Sequence, residues 1–191
     1  LIGQLGTVAN QLTLLRLIFV PFIIINLVDG NYHWALGLFV AAGISDGLDG
    51  LLARRLRQQT LLGQYLDPIA DKLLLSSLFL VLSLMHKIAW RFTVLVFTRD
   101  VGILIVSGVL YAAIGLRDFR PSIFGKLNTA AQIGAVFFVL VFETYPTPEL
   151  FITKRLFLWL TFLFTLLSGV HYIYLVGHRL KTLGHAKTAA H

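Results

Sequence analysis

The sequence contains no cysteine, which excludes a disulfide framework, a thiolate zinc site and a cysteine nucleophile, and leaves oxygen or imidazole donors for any metal. Charge is scarce too. Asp, Glu, Lys and Arg make up 13% of 191 residues, about half the share of an average soluble domain. Acids are rarest, nine against sixteen Lys and Arg, for a net charge of +7. There is no low-complexity tract, no convincing internal repeat and no polar stretch long enough to be a soluble domain. What fills the chain is apolar: 57% hydrophobic residues and a mean hydropathy of +0.82. An aqueous fold of this size has too little interior for so much apolar surface, so the missing solvent is lipid. The positive excess then points to anionic headgroups and not to nucleic acid.

Six segments approach the ~20 residues that a bilayer crossing needs: 11–29, 33–54, 64–85, 91–115, 124–142 and 154–176. The expectation is an all-α integral membrane protein with six transmembrane helices and one membrane domain over residues 1–191. The breakers agree, with Asp29-Gly30-Asn31 between the first two spans and a Pro-containing stretch from Glu143 to Glu149 between the last two. The first span lacks a basic leader and a small-x-small cleavage site, and is not read as a removable signal. With the N-terminus cytoplasmic, inside loops hold nine basic residues, Arg54, Arg55, Arg57, Arg117, Arg120, Lys126, Arg179, Lys181 and Lys187; outside loops hold four, Lys87, Arg91, Lys154 and Arg155. Trp34, Trp90, Tyr145 and Trp159 fall near the outer boundary, where interfacial aromatics gather.

Acids within spans are costly and mark function by default. The second span ends Ser45-Asp46-Gly47-Leu48-Asp49-Gly50-Leu51-Leu52-Ala53-Arg54, and the third opens Gly63-Gln64-Tyr65-Leu66-Asp67-Pro68-Ile69-Ala70-Asp71-Lys72. On helices, Asp46 and Asp49 share one face, as do Asp67 and Asp71. A short connection makes the two helices antiparallel neighbours, so four carboxylates converge at the cytoplasmic side. Left alone they would repel strongly; two hard divalent cations, Mg²⁺ or Mn²⁺, would neutralise them. Two-metal sites suit phosphoryl chemistry. Gly50 and Gly63 let a substrate approach backbone, and Arg54 could grip a phosphate with its guanidinium fork.

The series Asp46, Asp49-Gly50, Ala53-Arg54, Gly63, Asp67, Asp71 resembles, position for position, the signature of the CDP-alcohol phosphotransferases, D-x2-D-G-x2-A-R-x8-G-x3-D-x3-D. The resemblance implies a six-span homodimeric enzyme that moves a phosphatidyl group from CDP-diacylglycerol to an alcohol and releases CMP. It implies that Asp46, Asp49, Asp67 and Asp71 hold two divalent ions, that Asp71 also deprotonates the attacking hydroxyl, and that Asp49, Gly50, Ala53, Arg54 and Gly63 line the CDP-diacylglycerol pocket. Thr98-Arg99-Asp100-Val101 and Gly125-Lys126-Leu127-Asn128-Thr129-Ala130-Ala131-Gln132 look like the matching stretches of cardiolipin synthases. Phosphatidylglycerophosphate synthases usually show Arg-Glu at the first stretch and a second Lys where Asn128 stands. A diester acceptor carries less charge than glycerol-3-phosphate and tolerates the missing cation better. The preferred acceptor is therefore phosphatidylglycerol, with glycerol-3-phosphate as the alternative, and Arg99, Arg117, Arg120, Lys126 and Asn128 are the acceptor-binding candidates. A lipid acceptor also calls for a lateral opening, expected around Phe119, Phe124 and Leu127. The expected location is the bacterial inner membrane, with the active site facing the cytoplasm.

Plainer readings stand beside these. Arg54 taken alone is one more positive-inside residue, and Lys126 and the Arg117 to Arg120 loop could be topology signals only. Lys72 could snorkel or pair with a nearby carboxylate. Arg99 and Asp100 could form a structural ion pair with another helix. The six His show no metal spacing. A cation- or proton-coupled transporter would spread its acids along a path, whereas here they gather at one membrane face.

Overall fold

The structure is a computed structural model that describes the backbone of residues 8–56, 61–114 and 123–188 and, within these, the side chains of 15–47, 70–106 and 123–177. The described residues form six helices and no strand: α1 Val8–Val28, α2 Tyr32–Leu56, α3 Leu61–Leu84, α4 Trp90–Ile114, α5 Ile123–Thr144 and α6 Pro148–Thr188. The helices begin and end within a few residues of the expected spans, except that α6 starts six residues early at Pro148 and runs on to Thr188. Among the described residues, two segments, Ile123–Thr144 and Pro148–Gly177, are long and apolar enough to cross a membrane, and α1 adds a shorter apolar stretch, Leu15–Val28. Charges stand in the other helices: Asp46 and Asp49 in α2, Asp67, Asp71 and Lys72 in α3, and Arg99 and Asp100 in α4.

Local chemistry sets the connections. Gly30 takes φ +76°, a left-handed conformation that closes α1 with Gly30 N donating to Leu27 O and Asn31 N to Asn26 O. Thr147 caps α6 by accepting from Leu150 N at 3.3 Å, just ahead of Pro148, whose missing N–H costs nothing there.

Packing follows helical spacing. Ala35, Phe39 and Ala42 of α2, Leu75, Leu78, Phe79 and Leu82 of α3, and Val136, Val139 and Leu140 of α5 are buried together with Ile23 and Leu27 of α1. The outside is apolar as well, with Leu104, Ile152, Val170 and Ile173 all about two-thirds exposed or more. Apolar surface on every side of a helix is the pattern of lipid contact.

α5 and α6 pack closely against each other, and Gly134 lets them approach. A Cβ on Gly134 would clash with two carbons of the Phe157 ring, and that ring is backed by Phe138 at 4.6 Å between centroids. Gly134→Ala should therefore lower the thermal midpoint of the purified protein. Overpacking of about 1–3 kcal/mol outweighs a helix-propensity gain of about 1 kcal/mol. Intrinsic fluorescence during heating checks this; an unchanged or raised midpoint would show that Phe157 swings aside freely.

At the hairpin-tip end, Lys87 Nζ donates to Glu143 Oε2 at 2.6 Å and Lys154 Nζ lies 3.5 Å from Glu143 Oε1. The bond to Glu143 is the main reason why the Lys87 pKa is raised above its ordinary 10.5. The link therefore contributes at neutral pH and is lost only as pH climbs through the raised value.

Candidate active site

Antiparallel helices joined by a tight turn pair residues at equal distances from it. Arg16 stands thirteen residues before Asp29 and Asp46 fifteen after Asn31, so both lie about 20 Å from the turn at 1.5 Å per residue. The Arg16 guanidinium meets the Asp46 carboxylate across that hairpin and also meets the Asp71 carboxylate of α3. Arg16 is 1% exposed, while the Asp46 and Asp71 side chains keep 49% and 39% of their surface open. The acids thus look into open space from a buried cationic base.

That space is a cavity of about 510 Å³. Arg16, Asp46 and Asp71 form its polar part, and Phe39, Val40, Ile44, Ile133 and Phe137 are among its apolar walls. On α5 the lining residues Thr129, Ile133 and Phe137 fall at i, i+4 and i+8, and Lys126 stands one turn earlier on that stripe. The open side lies between α2 and α5, where Ile44 is 58% and Ile133 46% exposed. A charged base with an apolar flank fits an amphiphile.

A lateral opening is expected around Phe119, Phe124 and Leu127; Phe124 and Leu127 are not among the residues that line the cavity. The Phe124 ring is drawn to His171 of α6, 5.3 Å between centroids; Phe119 lies outside the described residues.

The other site candidates divide. Asp49, Gly50, Ala53 and Arg54 sit on the α2 backbone and Gly63 and Asp67 on that of α3, with side chains outside the described set; Arg117 and Arg120 lie outside the described residues altogether. Among described residues no group of three or more His or acidic side chains could hold a metal ion. Two carboxylates, Asp46 and Asp71, do share the Arg16 guanidinium, each on a helix that carries another acid one turn away. That all-oxygen donor set fits Mg²⁺ or Mn²⁺.

Arg99 and Asn128 both turn to α6, and neither lines the cavity. Arg99 donates to Ser168 Oγ through Nε at 3.2 Å and to Asp100 Oδ1 through NH1 at 2.6 Å. Lys72 Nζ lies 2.6 Å from that same Asp100 oxygen, so Lys72 pairs with a carboxylate of another helix. Asn128 is fully buried and accepts from Thr165 Oγ1 at 2.7 Å. One turn along α5, Gln132 is fully buried with neither amide atom bonded, and Asn128 Nδ2 also lacks a partner. A polar seam therefore runs from Lys72, beside Asp71, through Asp100 and Arg99 to the α5–α6 interface.

Comparison with known proteins agrees with this geometry. The sequence model of the CDP-alcohol phosphatidyltransferase family matches residues 6–167. A probable phosphatidylglycerophosphate synthase of Mycobacterium tuberculosis (strain ATCC 25618 / H37Rv) is 35% identical over 181 residues, 90% of this chain and 82% of that protein. The CDP-diacylglycerol–glycerol-3-phosphate 3-phosphatidyltransferase of Wigglesworthia glossinidia brevipalpis is 34% identical over 86% of this chain and 91% of its own. Human cardiolipin synthase (CMP-forming) is 28% identical over 83% of this chain and 56% of its own. The unbroken carboxylate signature, its paired placement on consecutive helices and a family match over most of the sequence lead to one assignment: the chain belongs to the CDP-alcohol phosphatidyltransferase family.

Proposed function

We propose that this protein is a six-span, metal-dependent phosphatidyltransferase that takes its phosphatidyl group from CDP-diacylglycerol, with phosphatidylglycerol as the leading acceptor and cardiolipin as product. The observation that carries the reading is the cavity with Asp46 and Asp71 at its polar part and an apolar side open between Ile44 and Ile133. A headgroup can sit against the carboxylates while acyl chains stay in lipid. The site faces the cytoplasm in this reading, and the working unit is a homodimer.

Asp46, Asp49, Asp67 and Asp71 would hold two divalent ions, which when bound neutralise charge on the phosphates. Asp71 accepts the proton of the acceptor hydroxyl. The hydroxyl oxygen forms a bond to the β-phosphorus as the bond to the CMP oxygen breaks, and CMP leaves. Arg54 and the glycines orient the nucleotide; Lys126, on the stripe that lines the cavity, is the best placed of the described acceptor candidates.

The preference for phosphatidylglycerol rests on Asp100 and Asn128 in the two stretches that resemble cardiolipin synthases. Glycerol-3-phosphate is the second reading, favoured by the names of the two bacterial relatives that match over most of their length. Purified protein should release CMP from CDP-diacylglycerol with Mg²⁺ or Mn²⁺ and form cardiolipin when phosphatidylglycerol is supplied. Phosphatidylglycerophosphate from glycerol-3-phosphate, with no cardiolipin, would select the second reading; no CMP with either acceptor would overturn both.

A further inference from the structure

Arg16 carries no role in the carboxylate signature, yet it is the largest fully buried side chain described. A guanidinium withdrawn from water on an apolar helix is costly unless it is paired. Its partners here are not incidental acids: NH2 meets Asp46 of α2 and NH1 meets Asp71 of α3. One rigid, planar group on a third helix thus spans two carboxylates that would otherwise repel each other.

We infer that Arg16 is a positioning residue for the carboxylate centre: its two-armed grip sets the mutual placement of the Asp46 and Asp71 carboxylates, and through them the site's affinity for divalent ions. The inference rests on the metal-dependent reading above and adds a residue to it. Fork geometry and charge make different demands. An ammonium conserves the charge but offers one point in place of two fixed arms. Arg16→Lys therefore leaves the electrostatics of the cluster in place and removes the shared spacing.

The test uses the full chain in detergent, without lipid substrates, and titrates Mn²⁺ by electron paramagnetic resonance alongside a thermal melt. Arg16→Lys should weaken Mn²⁺ binding about tenfold, as loss of a group that orients metal ligands usually does, with a melting midpoint close to that of the unaltered protein. In turnover, the ion concentration for half-maximal CMP release should rise by the same factor, while kcat at saturating ion is largely recovered. Unchanged Mn²⁺ affinity would overturn the inference, even with a collapsed midpoint, because Arg16 would then only hold the helices together. Tighter binding would also overturn it, by making Arg16 a competitor of the ion. If the unaltered protein binds no Mn²⁺, the metal-dependent reading falls and this inference with it, an outcome distinct from a failure at Arg16 alone.

Discussion

Asp71→Asn is expected to lower CMP release by about 10³-fold or more at saturating substrates and Mg²⁺. A general base alone accounts for roughly 10²–10⁴ in rate, and the same change removes a ligand charge and one of the two grips of Arg16. The amide keeps the volume and cannot take the proton. Asp46→Asn should be nearly as damaging for a separable reason: it weakens ion binding, so that added Mg²⁺ or Mn²⁺ recovers part of its activity and none of that of Asp71→Asn. Asp29→Asn, at the exposed hairpin tip, is the control and should turn over normally. Full activity in Asp71→Asn would remove this residue from the chemistry.

Asp100→Asn should produce the largest loss of stability. Asp100 is 7% exposed, and one of its oxygens lies 2.6 Å from both Lys72 Nζ and Arg99 NH1. Removing the shared partner of a buried ion pair costs about 3–5 kcal/mol, because the remaining charge is left in a poorly solvating surround. Lys72 keeps 34% of its side chain exposed and can reach toward water; Arg99 keeps 10%. The lower end, about 3 kcal/mol, is therefore expected, with most of it at Arg99. Replacing the charges together, as Lys72→Met, Arg99→Met and Asp100→Leu, should recover much of the thermal midpoint even though acceptor use suffers. A triple variant no more stable than Asp100→Asn would mean that the three residues do not act as a unit.

Much of this was legible from residue order. Period and length mark the helices because lipid leaves the backbone few other ways to satisfy its polar groups. The signature places Asp46 and Asp71 at one level because each sits ten residues from the link between two consecutive helices. Arg16 was missed. It lies among Leu14, Leu15, Leu17 and Ile18, where a lone cation carries no motif spacing. Its equal distance from the Asp29-Gly30-Asn31 turn could have paired it with Asp46. Asn128 was read through its charge alone, whereas a helix also assigns direction. The stripe that reaches the cavity runs through Thr129, Ile133 and Phe137, and Asn128 turns to Thr165. A lysine there would have to bury its ammonium against α6, so its effect on acceptor choice would mix selectivity with packing. The α5–α6 contact at Gly134 depends on where a distant ring stops, which no spacing rule gives.

The open side between Ile44 and Ile133 also decides what concentration means for this protein. A lipid that enters there comes from a two-dimensional solution, and its chemical potential is set by its mole fraction in the surface and not by how much is in the tube. Inert phospholipid added at constant total substrate then acts as a diluent and slows turnover, although nothing in the aqueous phase has changed. CMP, once released from its diacylglycerol anchor, departs into three dimensions. Forward transfer is drawn onward by that difference in volume as much as by the chemistry at phosphorus.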